Sequence, residues 1–480
     1  MINEEESPCT AARVVIAGLR GGSGKTTLSL GLIKVLRDSG LRIRAFKKGP
    51  DYIDAGWLAA ASGCDCYNLD PYLFSDQKIL QSFSLHSRDA DCALVEGNRG
   101  LYDGMHVEGT YSTAELAKLL KAPVVLVVDC TKVTRTLAAV IRGVVSFDPD
   151  VDVRGVILNN IAGSRHESVI RGAIEKYTPV EVYGAMPRLK DERFPERHMG
   201  LTPHHEHPEV SRSIELMGRL VRDAVDCEKV LETARSAPEL RSKGYEAGAE
   251  SASASCNHSA STPGVRIGII KDMAFQFYYP DNFEALRNAG AELVEISAIT
   301  EGSLPDVDAL YIGGGFPETN AILLSENRDF MRSLRRAVED GLPVYAECGG
   351  LMYLGREIEF AGKTYPMTDI LPISFRMEDA PVAHGYTMVE VVEENPYFRK
   401  SVTLKGHEFH YSRVVDHAPD LRMVFAMKRG RGIDGRADGI VHRNVLATYT
   451  HLHALGSPEW VSGMMRAAGE RARNQRRLSA

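Results

Sequence analysis

A short apolar strand near the start of the chain leads directly into a glycine-rich turn and then into a helix. The strand is RVVIAG at 13–18, and it is followed by LRGGSGKTTLSLGLIKVL, whose leucines give the helical pattern. In this context glycines let backbone N–H groups converge on phosphate oxygens, and the helix N-terminus favours negative charge. We therefore predict a nucleotide-binding loop in which Lys25 reaches the outer phosphates and Thr26 ligates Mg²⁺. The residues expected to hold the nucleotide in this loop are Gly21, Gly22, Gly24, Lys25, Thr26 and Thr27.

The spacing of this loop departs from the common phosphate-loop pattern. The pattern G-x-x-x-x-G-K-[ST] would place glycine at position 19, where this chain has Leu19, and Gly18 comes one residue too early. The run RGGSGKTT resembles instead the deviant phosphate loop of partitioning ATPases and dethiobiotin synthetases, with Arg20 where many members carry lysine. The loop is therefore still expected to bind a nucleotide, and the resemblance implies a domain of the partitioning-ATPase and dethiobiotin-synthetase class.

Further apolar runs repeat the same rhythm along the first half of the chain. They are CALVE at 92–96, VVLVV at 124–128 and GVIL at 155–158, and they alternate with longer amphipathic segments. Strands of this composition are buried on both faces between crossover helices. We therefore predict an α/β domain with a parallel sheet.

A change in composition divides the chain. Its 480 residues exceed what one hydrophobic core usually covers. Residues 235–264 are rich in Ser, Ala and Gly and contain almost no large apolar side chain, which predicts a flexible linker. After it the strand rhythm resumes with VRIGII, DALYI and PVYAE. We expect a phosphate-loop domain at 11–234, the linker at 235–264 and a second α/β domain at 265–470.

The charge and the cysteines restrict the class of partner and the compartment. The formal net charge is −7, which argues against nucleic-acid binding because a phosphate backbone favours a basic surface. The eight cysteines show no repeated CxxC spacing, which predicts neither a zinc site nor a disulfide framework. The acidic N-terminus and the lack of a run of about 18 apolar residues predict neither a signal peptide nor a membrane span. We expect a cytoplasmic protein that acts on small molecules.

Three carboxylates follow strands beside the predicted phosphate loop. Asp51 and Asp54 lie in FKKGPDYIDAG, and Glu96 ends the strand CALVE. Carboxylates at the ends of neighbouring parallel strands face the ligand crevice and can hold Mg²⁺ directly or through water. An Asp after a strand is also a common helix cap, so we expect only one of the two aspartates at the metal. The predicted metal ligands are Thr26, Asp51 and Glu96. Asn159, at the end of GVIL, is expected to read a purine edge, with an ordinary turn asparagine as the alternative.

A cysteine occupies a second strand-to-helix turn in the later half of the chain. In PVYAECGGLMYLG, Cys348 follows an apolar strand and precedes two glycines, an arrangement that exposes a thiol and allows strained backbone. We predict that Cys348 is a nucleophile, with a buried inert cysteine as the ordinary alternative. The glycines of YIGGGFPE at 311–318 offer backbone N–H groups for an oxyanion hole. The clustered histidines that could supply its base are His407, His410, His451 and His453.

In combination, the phosphate loop and the strand-Cys-Gly-Gly turn resemble the cobyrinic acid a,c-diamide synthase family. The motifs that carry the resemblance occur in the family's order, as KKGPDYID, VEGNRGLYDG, PERHMGL, DMAFQFYYPDN, GGGFPE, ECGGLMYL, GHEFHYS and YTHLH. The resemblance implies an ATP-dependent ligase of cobalamin biosynthesis that hydrolyses glutamine and amidates the a and c acetate carboxylates of a corrin-like macrocycle. It also implies a dethiobiotin synthetase-like amidoligase domain at 11–234 and a class I, triad-type glutamine amidotransferase domain at 265–470.

The same resemblance implies roles for individual residues and for ligands. Cys348 would be the nucleophile and His451 its base, since His451 occupies the place of the histidine in the related TYLHG pattern. ATP and Mg²⁺ are the implied cofactors, and a tetrapyrrole or corrin macrocycle, glutamine and ATP are the implied small-molecule partners. The oligomeric state is left open, with a homodimer as one alternative. The motif positions expected to contact substrate are Tyr52, Arg197, His198 and Tyr279.

Two departures from the family pattern leave alternatives open. Many triad-type glutaminases carry H-x-E, but the residue two after His451 is His453, so the third member of the triad is unassigned. The loop GNRGLYDG carries Arg99 and Tyr102, as do relatives that amidate nickel-sirohydrochlorin, and a siroheme amidase is also a relative. The identity of the macrocycle is therefore open between cobyrinic acid, nickel-sirohydrochlorin and siroheme. A switch-type phosphate-loop ATPase is the alternative of a different class, and it would leave ECGGLMYL and GGGFPE without a use.

Overall fold

The computed structural model describes residues 8–9, 11–188, 196–197, 200–201, 210–241, 264–418 and 421–479. The chain divides into two compact units, Met1–Cys256 and Asn257–Ala480. The side chains of Arg197 and His198, two of the expected substrate contacts, lie outside the described residues. Within the described ranges, no helix combines the length and the apolar composition that a membrane crossing requires.

The N-terminal unit alternates strands and helices along most of its length. Its strands are β1 (Pro8–Cys9), β2 (Arg13–Gly18), β3 (Ile43–Lys48), β4 (Tyr67–Leu69), β5 (Cys92–Glu96), β6 (Val124–Asp129), β7 (Val153–Ile161), β8 (Glu181–Pro187), β9 (Glu196–Arg197), β10 (Gly200–Leu201) and β11 (Leu240–Arg241). Its helices are α1 (Lys25–Asp38), α2 (Ile53–Ser62), α3 (Asp76–Ser87), α4 (Thr113–Leu119), α5 (Thr136–Phe147), α6 (Ser164–Tyr177), α7 (Val210–Ala224) and α8 (Cys227–Arg235).

A seven-stranded parallel sheet forms the centre of this unit. Its strand order is β4-β3-β5-β2-β6-β7-β8, and every neighbouring pair is parallel. Strands β2 and β5 are buried at every position, which explains their continuous apolar composition. Because β2 is central, the loop that follows it lies beside the carboxyl ends of β5 and β6, where ligands bind in parallel α/β sheets.

Helix α1 begins at Lys25, directly after the phosphate loop, and it packs against α7. Its apolar face is buried, including Leu28 and Leu32. At Gly31 an added Cβ would lie 2.3 Å from Cγ2 of Val221, so glycine allows the close approach of the two helices. This packing fixes the start of α1, and with it the phosphate-loop lysine, relative to β2.

The first residues of the predicted linker pack on the N-terminal unit. Helix α8 ends at Arg235, and β11 pairs antiparallel with β1. The buried guanidinium of Arg13 donates a hydrogen bond to the Pro238 carbonyl, and Leu240 is buried. These contacts tie the segment before 242 to the unit, while residues 242–263 lie outside the described residues.

The C-terminal unit combines an α/β core with added β-structure. Its strands are β12 (Val265–Ile270), β13 (Phe275–Phe277), β14 (Ala291–Ile296), β15 (Ala309–Ile312), β16 (Gly314–Gly315), β17 (Val344–Glu347), β18 (Glu357–Phe360), β19 (Lys363–Pro366), β20 (Ile373–Met377), β21 (Ala383–Val391), β22 (Thr403–His410), β23 (Ser412–His417), β24 (Arg422–Arg429), β25 (Ala437–His442), β26 (Val445–Thr448) and β27 (His451–Leu452). Its helices are α9 (Pro280–Asn288), α10 (Ala321–Glu326), α11 (Arg328–Glu339), α12 (Gly349–Leu354) and α13 (Pro458–Ser479).

A ten-stranded mixed sheet carries the site residues of this unit. Its order is β14-β12-β15-β17-β26-β25-β24-β21-β22-β27, with the first five strands parallel and the remaining pairs antiparallel. Strand β27 follows β26 after only Tyr449 and Thr450, yet it pairs with β22 at the far end of the order. The antiparallel strands therefore lead from β26 back to β27, which is only two residues away from β26 along the chain.

Candidate functional site

The phosphate loop has the backbone that its glycines predict. Gly22 and Gly24 have φ of +69° and +92°, a region that favours glycine. The Ser23 hydroxyl donates to the Arg20 carbonyl at 2.8 Å and closes the turn. An added Cβ on Gly24 would lie 2.2 Å from Nδ2 of Asn159, so a side chain would not fit there. The loop therefore depends on glycine at its last position before the helix.

Lys25 extends from the first residue of α1 towards two backbone carbonyls. Its Nζ donates to the Arg20 carbonyl at 3.1 Å and to the Arg99 carbonyl at 2.9 Å. Burial of the ammonium, followed by repulsion from Lys47, lowers the pKa of Lys25. The lysine therefore links the phosphate loop to the loop after β5 and carries its charge between them.

A buried ionic cluster lies beside the phosphate loop. Lys47 on β3 stands opposite Glu96 on the neighbouring β5, and its Nζ contacts Glu96 Oε1 at 2.7 Å and Asp54 Oδ2 at 2.7 Å. The Thr26 hydroxyl also donates to Glu96 Oε1, at 2.9 Å. The second oxygen of Glu96, Oε2, is buried and has no hydrogen-bond partner. The cluster thus brings together Thr26 and Glu96, two of the three predicted metal ligands.

Asp51, the third predicted ligand, lies farther from the cluster than Asp54. Its Oδ2 is 3.9 Å from Nζ of Lys47, and its Oδ1 accepts a hydrogen bond from the Asp54 backbone N–H at 2.9 Å. Burial, followed by repulsion from Asp54, raises the pKa of Asp51 to about 7. Burial opposes ionisation of Asp54 as well, but the contact with Lys47 outweighs it and the pKa of Asp54 is lowered. Asp54 is therefore the aspartate that carries charge at the centre of the cluster.

The donor set fits a magnesium ion held jointly with a nucleotide. Among the described residues, no three His, Cys, Asp or Glu side chains are grouped so as to hold a metal by themselves. Mg²⁺ commonly takes one or two protein carboxylates and completes its shell with phosphates and water. The unpartnered Oε2 of Glu96 and the adjacent hydroxyl of Thr26 match that partial set.

Asn159 supports the phosphate loop. Its Nδ2 donates to the Ser23 carbonyl at 3.0 Å. The next residue, Asn160, has φ of +61° and donates to Asp129 Oδ1 at 3.1 Å, while Oδ2 of Asp129 pairs with Arg20 at 2.6 Å. Sequence reasoning missed Asp129 and Asn160, although Asp129 ends β6, the neighbour of β2, and Asn160 lies near the carboxyl end of β7, the neighbour of β6. The role of Asn159 in reading a purine stays a prediction.

In the loop after Glu96, the side chain of Arg99 is exposed and that of Tyr102 packs on the protein. Arg99 has φ of +54° and its side chain is exposed, while its carbonyl accepts from Lys25. Tyr102 is directed onto helix α5, where its hydroxyl donates to the Val144 carbonyl at 2.8 Å and its ring contacts that of Phe147. Of the pair, Arg99 is the one with a side chain available to a ligand.

Cys348 occupies the sharp turn between β17 and α12. Its φ of +48° and ψ of −97° are outside the regions that residues with a Cβ normally adopt. Its N–H donates to the Thr448 carbonyl at 2.7 Å, and an added Cβ on Gly350 would lie 2.5 Å from the Ile312 carbonyl oxygen. Burial, followed by the charge of Glu318, raises the pKa of the Cys348 thiol. The geometry is that of a nucleophile turn, and the thiol needs a base to ionise.

His451 begins β27, next to the glycines of β16. An added Cβ on Gly314 would lie 2.5 Å from Cε1 and 3.3 Å from Nε2 of His451, and one on Gly349 would lie 3.0 Å from the Gly315 nitrogen. The Cys348 turn and His451 therefore flank the same Gly314–Gly315 pair. The other ring nitrogen, Nδ1, is 3.6 Å from Oε2 of Glu347, the residue before the cysteine.

The remaining clustered histidines have other contacts. His407 stacks on His451 with ring centroids 4.8 Å apart, and burial, followed by repulsion from His451, lowers the pKa of His407 well below its usual value. His410 stacks on Tyr449 at 3.6 Å. Nε2 of His453 faces Asp281 Oδ2 at 3.4 Å. His451 is the histidine that lies against Gly314, one of the glycines predicted to form an oxyanion hole.

Comparison with known proteins gives the family. The model described as "CobQ/CobB/MinD/ParA nucleotide binding domain" matches residues 14–201, and the one described as "CobB/CobQ-like glutamine amidotransferase domain" matches residues 266–459. Among curated proteins, the cobyrinate a,c-diamide synthases of Magnetococcus marinus and Archaeoglobus fulgidus are each 41% identical, over 97% and 93% of this chain and 98% and 95% of their own. That of Listeria innocua is 38% identical over 96% of this chain and 100% of its own.

Among solved structures, a glutamine amidotransferase matches 42% of this chain and 98% of its own at 19% identity, with a TM-score of 0.33. The sequence relatives and the two domain matches confirm the predicted fold class, a phosphate-loop α/β domain followed by a glutamine amidotransferase domain. They also confirm that the chain is an enzyme, a glutamine-dependent amidoligase. The chain belongs to the cobyrinate a,c-diamide synthase family.

Proposed function

We propose that this enzyme amidates the a and c acetate carboxylates of cobyrinic acid, using ATP and ammonia taken from glutamine. The observation that carries the proposal is the likeness to a cobyrinate a,c-diamide synthase, 41% identical over 97% of the chain. The geometry of two sites supports it, since one chain combines a phosphate loop with a strained cysteine turn. A synthetase site and a glutaminase site are the two parts that this reaction needs.

The phosphate-loop unit supplies the activation step. A carboxylate does not react with ammonia because oxide is a poor leaving group. Transfer of the γ-phosphoryl group of ATP to a carboxylate oxygen gives an acyl phosphate, from which phosphate leaves when ammonia attacks the carbonyl carbon. Lys25 and the backbone N–H groups of Gly21, Gly22 and Gly24 neutralise the charge that develops in the transfer, and Thr27 and Asn159 complete the nucleotide contacts.

The ionic cluster fits the magnesium that accompanies the nucleotide. Thr26 and Glu96 would hold the ion, with Asp51 or Asp54 reaching it through water, and Mg²⁺ would supply charge neutralisation on the β- and γ-phosphates. Lys47 keeps Asp54 ionised, as its lowered pKa indicates. The cluster is therefore charged at neutral pH before substrate binds.

The C-terminal unit supplies ammonia. His451 takes the proton of the Cys348 thiol, and Sγ attacks the side-chain amide carbon of glutamine. The N–H groups of Gly315 and Gly349 would face the oxyanion. The C–N bond then breaks, the imidazolium returns the proton to the leaving ammonia, and water hydrolyses the thioester to give glutamate and free Cys348.

A second macrocycle is supported by one observation. Arg99 has an exposed side chain in the loop after Glu96, and its position matches an arginine in relatives that amidate nickel-sirohydrochlorin. Tyr102, the other shared residue, packs on α5 through the Val144 carbonyl and Phe147, so it does not add to that case. Cobyrinic acid therefore remains the first proposal, and nickel-sirohydrochlorin and siroheme are its rivals.

The test is mass spectrometry of each macrocycle after incubation with the enzyme, ATP, Mg²⁺ and glutamine. The substrates are cobyrinic acid, sirohydrochlorin, its nickel form and siroheme, and two replacements of OH by NH₂ are expected on cobyrinic acid alone. Cys348→Ala should give the same product with ammonium and none with glutamine. Amidation of a different macrocycle would replace the substrate assignment. ATP turnover with no mass change on any of the four would contradict the amidation and favour a switch-type ATPase.

A further inference from the structure

We infer that Glu347, the residue immediately before the cysteine, is the carboxylate that orients His451 in the glutaminase site. The inference rests on the proposed glutaminase chemistry and deepens it, because the H-x-E position of triad glutaminases is occupied here by His453. In triad hydrolases a carboxylate beside Nδ1 holds the imidazole in position and stabilises the imidazolium that forms. A base without that partner would lose both effects.

The two ring nitrogens of His451 face different groups. Nδ1 is 3.6 Å from Oε2 of Glu347, whereas the edge with Cε1 and Nε2 faces Gly314, next to the oxyanion glycines. The separation at Nδ1 is longer than a hydrogen bond, and contacts of this kind commonly shorten when a substrate binds. Glu347 therefore lies at Nδ1, the ring nitrogen that the orienting carboxylate contacts in triad hydrolases, while the Cε1–Nε2 edge faces the Gly314–Gly315 pair that the Cys348 turn also flanks.

The carboxylate of Glu347 is itself held in place. It is fully buried, its Oε1 accepts from the Leu452 N–H at 2.9 Å, and its Oε2 accepts from the Tyr311 hydroxyl at 2.9 Å. The Leu452 contact joins Glu347 to the residue that follows His451, so one side chain fixes both the ring and the strand that carries it. Such anchoring is the usual means by which an orienting group keeps its own geometry.

His453, which occupies the usual position of the third triad member, has contacts of its own. His453 faces Asp281 at 3.4 Å through Nε2, and its Nδ1 accepts from the Leu455 N–H at 3.2 Å. His407 is stacked on the ring of His451, and His453 lies two residues along the chain. Neither can stabilise a positive charge on His451, whereas Glu347 can.

The experiment measures kcat/KM for glutamine hydrolysis from about pH 5 to about pH 9 in the full-length enzyme. The acid limb of this profile follows the pKa of the base in the free enzyme. Removing a facing negative charge lowers the pKa of a histidine, so Glu347→Gln should move the limb to lower pH by about one unit or more and reduce kcat by at least about tenfold. Glu347→Asp retains the charge and should keep the limb near its wild-type position.

Asp281→Asn is the matched control, since it neutralises the other buried carboxylate that faces a histidine of β27–α13. Its acid limb should coincide with that of the wild type. Ammonium-dependent amidation and thermal unfolding of each variant report whether the fold is intact. An unmoved limb in an intact Glu347→Gln enzyme, or a shift in Asp281→Asn instead, would overturn the inference. A wild-type enzyme that does not hydrolyse glutamine would contradict the proposed function itself.

Discussion

Lys47 and Glu96 form a buried ion pair across two neighbouring parallel strands, with 2.7 Å between Nζ and Oε1. Both side chains are almost fully excluded from solvent, and the half-buried Asp54 also contacts the ammonium, at 2.7 Å. A buried charge of this kind is tolerated because its partners are also buried, and each becomes costly when the other is removed. The pair therefore links the stability of the N-terminal unit to its ligand site.

Replacing Lys47 by methionine should destabilise the N-terminal unit. The substitution leaves Glu96 buried and Asp54 half-buried without their counter-ion, which costs about 3 to 5 kcal/mol. Because Trp57 and Trp460 are the two tryptophans of the chain and lie in different units, a Trp460→Phe background makes fluorescence report the N-terminal unit in urea titrations.

The control for this loss is Lys229→Met, which breaks the exposed pair with Glu181. Solvent screens that pair, so little change in the urea midpoint is expected. Equal midpoint shifts for Lys47→Met and Lys229→Met would mean that the buried cluster stabilises the N-terminal unit no more than an exposed ion pair does.

Replacing Asp51 by asparagine should stabilise the N-terminal unit more as pH rises. Asp51 has a pKa of about 7 when folded, against an ordinary value of 3.8, so the folded state holds a proton that the unfolded state has lost between these limits. Because the folded state binds this proton more tightly than the unfolded state, the free energy of unfolding of the wild type falls as pH rises through this window. Above the folded pKa that free energy no longer changes. Asparagine has no proton to lose and can still accept from the Asp54 N–H.

The measurement is the difference in urea midpoint between Asp51→Asn and wild type at about pH 4, 6 and 8. The difference should grow in favour of the variant along this series. A constant difference would show that Asp51 ionises normally in the folded protein.

Replacing Gly314 by alanine should impair glutamine use while sparing ammonium use. The new methyl group would meet Cε1 of His451 at 2.5 Å, and a displacement of about 1 Å in a catalytic group can cost about 100-fold in rate. Steady-state rates with glutamine and with ammonium separate the two activities. Gly302→Ala is the control, because an added Cβ there meets nothing within 4 Å. Loss of both activities in Gly314→Ala would indicate a general folding defect.

Replacing Asp438 by asparagine should destabilise the turn that leads to His451. Asp438 is fully buried and accepts hydrogen bonds from the hydroxyls of Thr448 and Thr450, at 2.7 Å and 2.9 Å, and from the Tyr449 N–H at 3.0 Å. An amide places an NH₂ group among donors, so we expect a loss of about 1 to 3 kcal/mol or more. The probe is Trp460 fluorescence in a Trp57→Phe background, together with the glutaminase rate.

Asp434→Asn is a suitable comparison, since Asp434 is exposed and accepts from the Arg436 and Ala437 N–H groups in a surface turn. Its effect on stability should be much smaller. A glutaminase rate that stays at the wild-type level in a destabilised Asp438→Asn enzyme would show that the turn does not position His451.

The sequence predicts local chemistry more completely than it predicts partners. Continuous apolar runs and glycines determine the phosphate loop and the Cys348 turn, because both depend on residues adjacent in the chain. Side-chain pairing across strands is different. That Lys47 meets Glu96 depends on β3 and β5 being neighbours, and this strand order is not encoded in either segment. Likewise, the sequence led us to choose Asp51 as the metal-binding aspartate, whereas packing places Asp54 on Lys47.

The third member of the glutaminase site shows the same limit. A search along the strand after His451 finds His453, because sequence patterns compare positions on one segment. Glu347 reaches Nδ1 from β17, and the signal that could have identified it is a charged residue at the end of an otherwise apolar strand. An acidic residue at such a position is costly to bury unless it has partners, and so it marks a contact to look for.

The return of the antiparallel strands to their starting point has a consequence for how the C-terminal unit can change. The Thr448 carbonyl at the end of β26 accepts from the Cys348 N–H, while β27 pairs with β22, four places farther along the sheet order than β26. The position of His451 is therefore limited twice, by the two-residue connection after Thr448 and by the pairing of β27 with β22. Loops that join the other antiparallel strands take no part in either constraint and can lengthen, whereas an insertion between Thr448 and His451 would move the histidine relative to the turn that carries the thiol.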